Sequence, residues 1–290
     1  PPMHSCPDML RKLLGLPRKA PIDAARWRRI TGDLPFLRHL DEDGRNLLQS
    51  RCEAFLASKQ FSGAAGFEVD DDVRIGIAVQ ACLPALHLGL SGYRDFVEIV
   101  VYPDRFVAPR RQVDEIGVVH EYDDELAGEA MEGGPVVLSW PDADPAAGHV
   151  GYNVVIHEFA HKLDMLDGAP DGAPPLPAAM RARWTRTMTS AYEDFCKRLD
   201  EVEAAIPRHV DPESPAADAW YERLPLDPYA ATDPGEFFAV ATEIFFTDPG
   251  ALHDAYPALY ALFRDYFGQD PLTAHAPPHP DPADRAHRSR

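Results

Sequence analysis

The sequence is poor in cysteine, in basic residues and in long apolar runs. Its four cysteines (Cys6, Cys52, Cys82 and Cys196) are scattered through 290 residues, with no Cys-x-x-Cys pair among them. That excludes a disulfide-stapled scaffold and a cysteine zinc site, and points to reduced, structural thiols. Lys and Arg total 28 against 47 Asp and Glu, a formal net charge of -19. A surface of that sign keeps a chain soluble and repels phosphate backbones, so no direct nucleic-acid partner is expected. No stretch approaches the roughly 20 apolar residues of a membrane span. The opening "PPMHSCPDMLRKLLGLPRKAP" has only a short apolar run, broken by Arg11, Lys12 and Pro17. It lacks the apolar region and cleavage site of a signal peptide, and it is too interrupted to argue for a membrane surface. A cytoplasmic protein without membrane contact is the expectation.

What is present is a globular composition, 45% hydrophobic, enough to bury a core. Asp41 is placed as an N-cap, with Leu47, Leu48, Phe55 and Leu56 at helical spacing behind it. A second helix is predicted from Asp70 toward Leu86, stopped by Pro84 or Gly89. "FVEIVVYP" (Phe96–Pro103), "IGVVHEY" (Ile116–Tyr122) and "PVVLSW" (Pro135–Trp140) read as strands. After a loop at "PDADPAAGHVG" the chain turns helical again: first at "NVVIHEFAHKLDMLDG" (Asn153–Gly168), then along a stretch with Met180, Trp184, Met188 and Tyr192 facing a core. Further helices are predicted over Gly235–Phe246 and around Leu259–Phe267. From about Pro271 the sequence is Pro-rich and low in hydrophobics, the pattern of a disordered tail. The order of elements predicts a mainly helical α+β fold with a small sheet. It divides into a helical N-terminal part at 1–95, a core at 96–268 and a tail at 269–290.

His157 and His161 stand four apart, so on a helix both imidazoles face one point, where they can hold an ion. Glu158 is one step round, placed to take a proton from water activated there without ligating the metal. An ordinary helix with two solvent-facing histidines is the competing reading. The neighbours Val154, Val155, Ile156, Phe159, Ala160 and Leu163 argue against it, because little of this helix suits water. Two buried imidazoles and a carboxylate need a partner, and a metal supplies one.

A catalytic zinc takes three protein ligands and keeps one open position. Asp164 and Asp167 lie on the same helix, which rises away from the ion; hydrogen bonding to a ligand histidine is the better role for Asp164. In "TDPGEFFAVATEIFF", Glu236 and Glu243 share a face, with the small Ala239 and Val240 between them. Glu236 also fits a capping box with Asp233 and Pro234, and Glu243 fits a supporting acceptor. Spacing alone does not choose between the two glutamates.

Taken together, "NVVIHEFAHKLDMLDG" and "LPLDPYAATDPGEFFAVATEIFF" (Leu224–Phe246) resemble the Mlc titration factor A family of zinc peptidases. The likeness extends through "AVQACLPALHLG", "IVVYPDRFV" and "DAYPALYALFRDYF", and so covers nearly all of the chain but its termini. A more distant resemblance is to the metal-site portion of anthrax lethal factor. The resemblance implies a zincin-like (gluzincin) core at 96–268 and one zinc held by His157, His161 and Glu236. It implies Glu158 as general base and a catalytic role for Tyr229, which from the sequence alone reads as a core aromatic. It further implies a peptidase, aminopeptidase-like, with peptide substrates and a second role in sequestering the transcriptional repressor Mlc. An endopeptidase with one protein substrate is the remaining alternative. "GGPVVLSW" is expected to present a strand edge to an extended peptide. "HEYDD" at His120 lacks a second histidine and reads as strand and turn. His275, His279 and His287 belong to the tail.

Overall fold

The computed structural model describes residues 21–113, 119–147, 151–212 and 214–273. Cys6, the basic start and the tail histidines lie outside these residues.

Counting helices longer than a turn, the N-terminal part contains α1 (Ala24–Thr31), α2 (Glu42–Ser58) and α3 (Asp71–Cys82). Asp41 caps α2 through Gly44 N at 2.7 Å, and Asp70 caps α3 through Val73 N at 2.9 Å, as the sequence predicts. Between α2 and α3 runs a strand that the sequence reading misses, β1 (Gln60–Gly63). It pairs in parallel with β2 (Glu98–Tyr102), which pairs in parallel with β6 (Val136–Ser139). A three-residue strand, β5 (Gly128–Ala130), closes the sheet antiparallel to β6, giving the order β1-β2-β6-β5. A separate antiparallel ribbon joins β3 (Phe106–Val113) to β4 (Val119–Leu126), and His120 lies within β4.

One expectation is overturned here. The segment Val136–Trp140 is not an exposed edge: β6 lies inside the sheet between β2 and β5, all four of its residues are buried, and Trp140 begins a helical turn. Its Val-Val-Leu run is apolar because both faces are covered. On that side of the sheet the edge strand is β5.

The C-terminal half is helical: α4 (Val154–Asp164), α5 (Ala178–Ala205), α6 (Pro234–Thr247), α7 (Pro249–Ala255) and α8 (Pro257–Phe267). Trp184 of α5, Phe238 and Phe245 of α6 and Phe263 of α8 meet at ring separations of 5.6–5.9 Å. Such contacts add about 0.5–1.5 kcal/mol per pair beyond burial. One continuous core runs from Trp27 to Phe267, so the N-terminal helices and the metal-motif helix share buried neighbours. Residues 269 and 270, assigned to the tail from the sequence, make hydrogen bonds to the core. Gln269 is buried, donating to Leu83 O at 2.8 Å and bonded to His39 at 3.1 Å, and Tyr260 donates to Asp270. Among the described residues no helix is long and apolar enough to cross a membrane. Cys52 and Cys82 are free thiols inside the core, and Cys196 is free on α5.

Candidate metal centre

The helix α4 starts where it does because Asn153 caps it, its side-chain oxygen accepting from Ile156 N at 2.9 Å. The amide of the same side chain donates to Gln80 Oε1 at 2.7 Å, and Gln80 in turn donates to Ala143 O, so the entry to α4 is anchored on α3. Val155, Ile156, Phe159, Ala160 and Leu163 sink into the core. Burying each large apolar side chain contributes roughly 1.5–3 kcal/mol, which holds the helix rigidly under the sheet. The remaining residues of α4, His157, Glu158, His161, Lys162 and Asp164 among them, are buried too.

Opposite lies α6. Asp233 caps it through Gly235 N and Glu236 N, with Pro234 in the first turn. The reciprocal half of a capping box is not what the Glu236 side chain does. Its Oε2 lies 3.1 Å from His157 Nε2 and 3.1 Å from His161 Nε2, and those two nitrogens are 3.1 Å apart. Glu243, two turns further along α6, takes the outer side of the same histidine. Its Oε1 is 2.5 Å from His157 Nδ1, and its Oε2 accepts from Asn153 N at 2.8 Å. The tertiary structure thus separates the two glutamates that spacing leaves equivalent.

Three donor atoms of His157, His161 and Glu236 therefore converge on one point. Ligand atoms of a tetrahedral zinc with bonds near 2.0–2.1 Å are about 3.3 Å apart, close to the spacing here. With His157 Nδ1 donating its proton to Glu243, Nε2 carries a bare lone pair. That lone pair faces a carboxylate and a second imidazole, an arrangement that a proton or a metal cation between them relieves. Electrostatics agree. Burial opposes charge on His157, yet Glu243, Glu236 and Glu158 outweigh it and hold its pKa well above the usual imidazole range. Burial likewise opposes charge on Glu236, but hydrogen bonds to both histidines keep its pKa far below that of an ordinary glutamate. The residues present fit a divalent cation.

Glu158 lines the adjoining cleft beside His157, and burial raises its pKa, partly offset by the two histidines. Tyr229 sits on a single turn (Pro228–Ala231) before α6, 51% exposed, with its hydroxyl 3.3 Å from Glu236 Oε1. Exposure rules out the core-aromatic reading of this residue. Asp164 turns to Gly172 N at 2.7 Å, and burial lifts its pKa to about 7. Its Oδ1 and the Nδ1 of His161 are both buried without a hydrogen-bond partner.

The role of Glu243 is testable. Its two oxygens accept from two donors at once, and a glutamine in its place would turn an NH2 toward one of them. Glu243→Gln is expected to weaken metal binding by about 10–100-fold, measured by competition with a chelator of known affinity.

A family model described as glucose-regulated metallo-peptidase M90 matches residues 10–268. Mlc titration factor A of Cronobacter sakazakii is 35% identical over 240 residues, covering 82% of this chain and 84% of that one. The protein of the same name from Escherichia fergusonii is 34% identical over the same length. An uncharacterized protein of Synechocystis is 37% identical over 251 residues, 85% of this chain and 84% of its own. A match of this length, carried by a chain whose two histidines and glutamate meet at one point, leads to one statement: the protein belongs to the M90 family of metallopeptidases.

Proposed function

We propose that the chain is a zinc-dependent peptidase with a zincin-like (gluzincin) core at 96–268, and that His157, His161 and Glu236 are its ligands. The convergence of those three donor atoms beside a buried glutamate carries the reading. Zinc at that point supplies Lewis acidity, activating water and polarising the scissile carbonyl. Glu158 takes a proton from the attacking water and returns it to the leaving amine; its burial raises its pKa toward the working range of a general base. Tyr229, exposed at the lip of the cleft, donates its hydroxyl to the carbonyl oxygen as charge develops there. Glu243 holds the His157 ring in the tautomer that binds metal.

The cleft beside the site has a volume of about 850 Å³, within the range of sites for short ligands. Glu125, Asp218, Glu222 and Asp227 line it, while its Arg105 is already paired with Asp142 at 3.2 Å. An acidic lining without a spare cation supports selection of a free amino end, hence an aminopeptidase. An extended peptide pairs with the free edge of β5, the strand next to Glu158. Protection of the Gly128–Ala130 amides from deuterium exchange by a slow substrate analogue tests that placement.

The deciding experiment is metal analysis of the purified protein beside hydrolysis of aminoacyl and N-blocked peptide substrates. One zinc per chain, loss of activity in chelator and preference for free amino ends are expected. Absence of bound zinc in both the wild type and His157→Ala would overturn the reading. Tyr229→Phe is expected to lower kcat about 100-fold with little change in KM, because only the oxygen that gains charge needs the hydroxyl.

A second reading is favoured by the name of the relatives. A chain similar to Mlc titration factor A is a candidate for sequestering a repressor of the Mlc kind by protein contact. The two roles are compatible.

A further inference from the structure

Val154, Glu158 and Lys162 follow one another at four-residue intervals on α4. They form one stripe of the helix, beside the stripe that carries His157 and His161. The edge strand β5 and the turn after it run along this second stripe.

At the start of β5 the approach is as close as a backbone allows. A Cβ built on Gly128 would lie 2.6 Å from Glu158 Oε1, 2.8 Å from Glu158 Cγ and 2.6 Å from Val154 Cγ2. Only glycine leaves the carboxylate its place there. At the far end, Lys162 Nζ donates to Met131 O at 2.7 Å and to Gly134 O at 3.1 Å, two carbonyls of the turn that joins β5 to β6. The lengths match. Three strand residues from Gly128 to Met131 span about 10 Å. The four to eight helical residues from the Glu158 and Val154 contacts to Lys162 rise about 6–12 Å.

Lys162 has no exposed side-chain surface, a rare condition for lysine. Its ammonium is satisfied by the two carbonyls, by Asp95 at 3.6 Å and by the face of Phe96, 4.6 Å from the ring centre. None of these partners belongs to the metal site.

We propose that Lys162 is a positioning residue which, with Gly128 at the other end, sets the height and register of the edge strand over Glu158. The carbonyls that Lys162 grips belong to the turn of the β5–β6 hairpin, so the grip decides where a peptide paired to β5 is held against the general base. The kinetic half of this statement rests on the peptidase reading; the structural half does not.

The experiment compares wild type with Lys162→Met, which keeps the apolar stem and removes the ammonium, both loaded with zinc. Hydrogen exchange at the amides of residues 129–134 is expected to quicken at least ten-fold in the variant, with exchange in α4 and α6 and zinc content unchanged. For an extended peptide KM is expected to rise about ten-fold or more, while an aminoacyl anilide too short to reach the strand changes less than three-fold. Unchanged exchange at residues 129–134, or an equal loss on both substrates, would overturn the proposal. Should Lys162→Met fail to fold, Gly128→Ala tests the other end. It is expected to retain zinc and lose at least 100-fold in kcat through displacement of Glu158, and wild-type kcat in that variant would overturn the proposal. If the wild type cleaves no peptide at all, the peptidase reading falls by itself, and the exchange rates still decide the role of Lys162.

Discussion

Replacing Glu158 by Gln is expected to lower peptide hydrolysis by at least about 1000-fold while one zinc stays bound. The side chain keeps its shape and its burial, and it loses only the ability to accept a proton. Glu158 is not among the three groups whose donor atoms converge, so metal content should not follow activity. The assay is kcat/KM on a free-amino peptide, paired with zinc analysis of the same sample. Parallel loss of zinc and activity would make Glu158 a ligand or a structural acid, and the proposed division of roles would fail. The same variant separates the two functional readings: binding of a repressor through protein contact should survive it.

Glu236→Ala is expected to have the second large effect, and on a different observable. It removes the one carboxylate that lies 3.1 Å from both histidines, leaving their two Nε2 atoms facing each other with no carboxylate between them. Metal affinity should fall by more than the roughly 10–100-fold typical of a supporting partner, and so by more than in Glu243→Gln. Chelator competition ranks the two variants directly. The reverse ranking would exchange the roles of the two glutamates. Because the Glu236 side chain keeps some exposure to solvent whereas that of Glu243 is buried, melting temperature should follow the opposite order. Loss of a buried hydrogen-bond partner costs about 1–3 kcal/mol at Glu243.

The helices near the site are legible in the sequence because each announces itself locally. Asp41, Asp70, Asn153 and Asp233 are caps that act within three residues, and the apolar spacing behind them is a property of the same short segment. The strands divide differently. β2 and β6 are apolar, largely β-branched runs, β2 buried on one face and β6 on both, and both appear where the sequence predicts them. β5 is Gly-Glu-Ala, three residues with poor strand propensity, and it exists only because β6 pairs with it. The strand proposed to hold substrate is therefore the one that local pattern hides. For the same reason the strand edge expected at Val136–Trp140 is found on its neighbour. The helices α1 and α7 escape the sequence reading as well; each is about two turns long, too short for a periodic signal.

From the sequence come the motif helix and the pairing of His157 with His161, because four residues of helix turn a little more than a full circle and both rings must face one way. The sequence points to their neighbour Glu158 as the candidate general base, and it carries the likeness to a peptidase family that implies roles for Tyr229 and Glu236. Spacing leaves Glu236 and Glu243 equivalent, and the tertiary structure separates them. Glu236 and Glu243 lie on one face of α6, about 10 Å apart along its axis, and the crossing of α4 over α6 sets which of them meets Nε2 and which meets Nδ1. It also decided that Lys162, one residue beyond the motif, turns away from the metal to grip the edge strand. Neighbours on a helix point 100° apart, and what each of them meets depends on elements folded in from elsewhere in the chain.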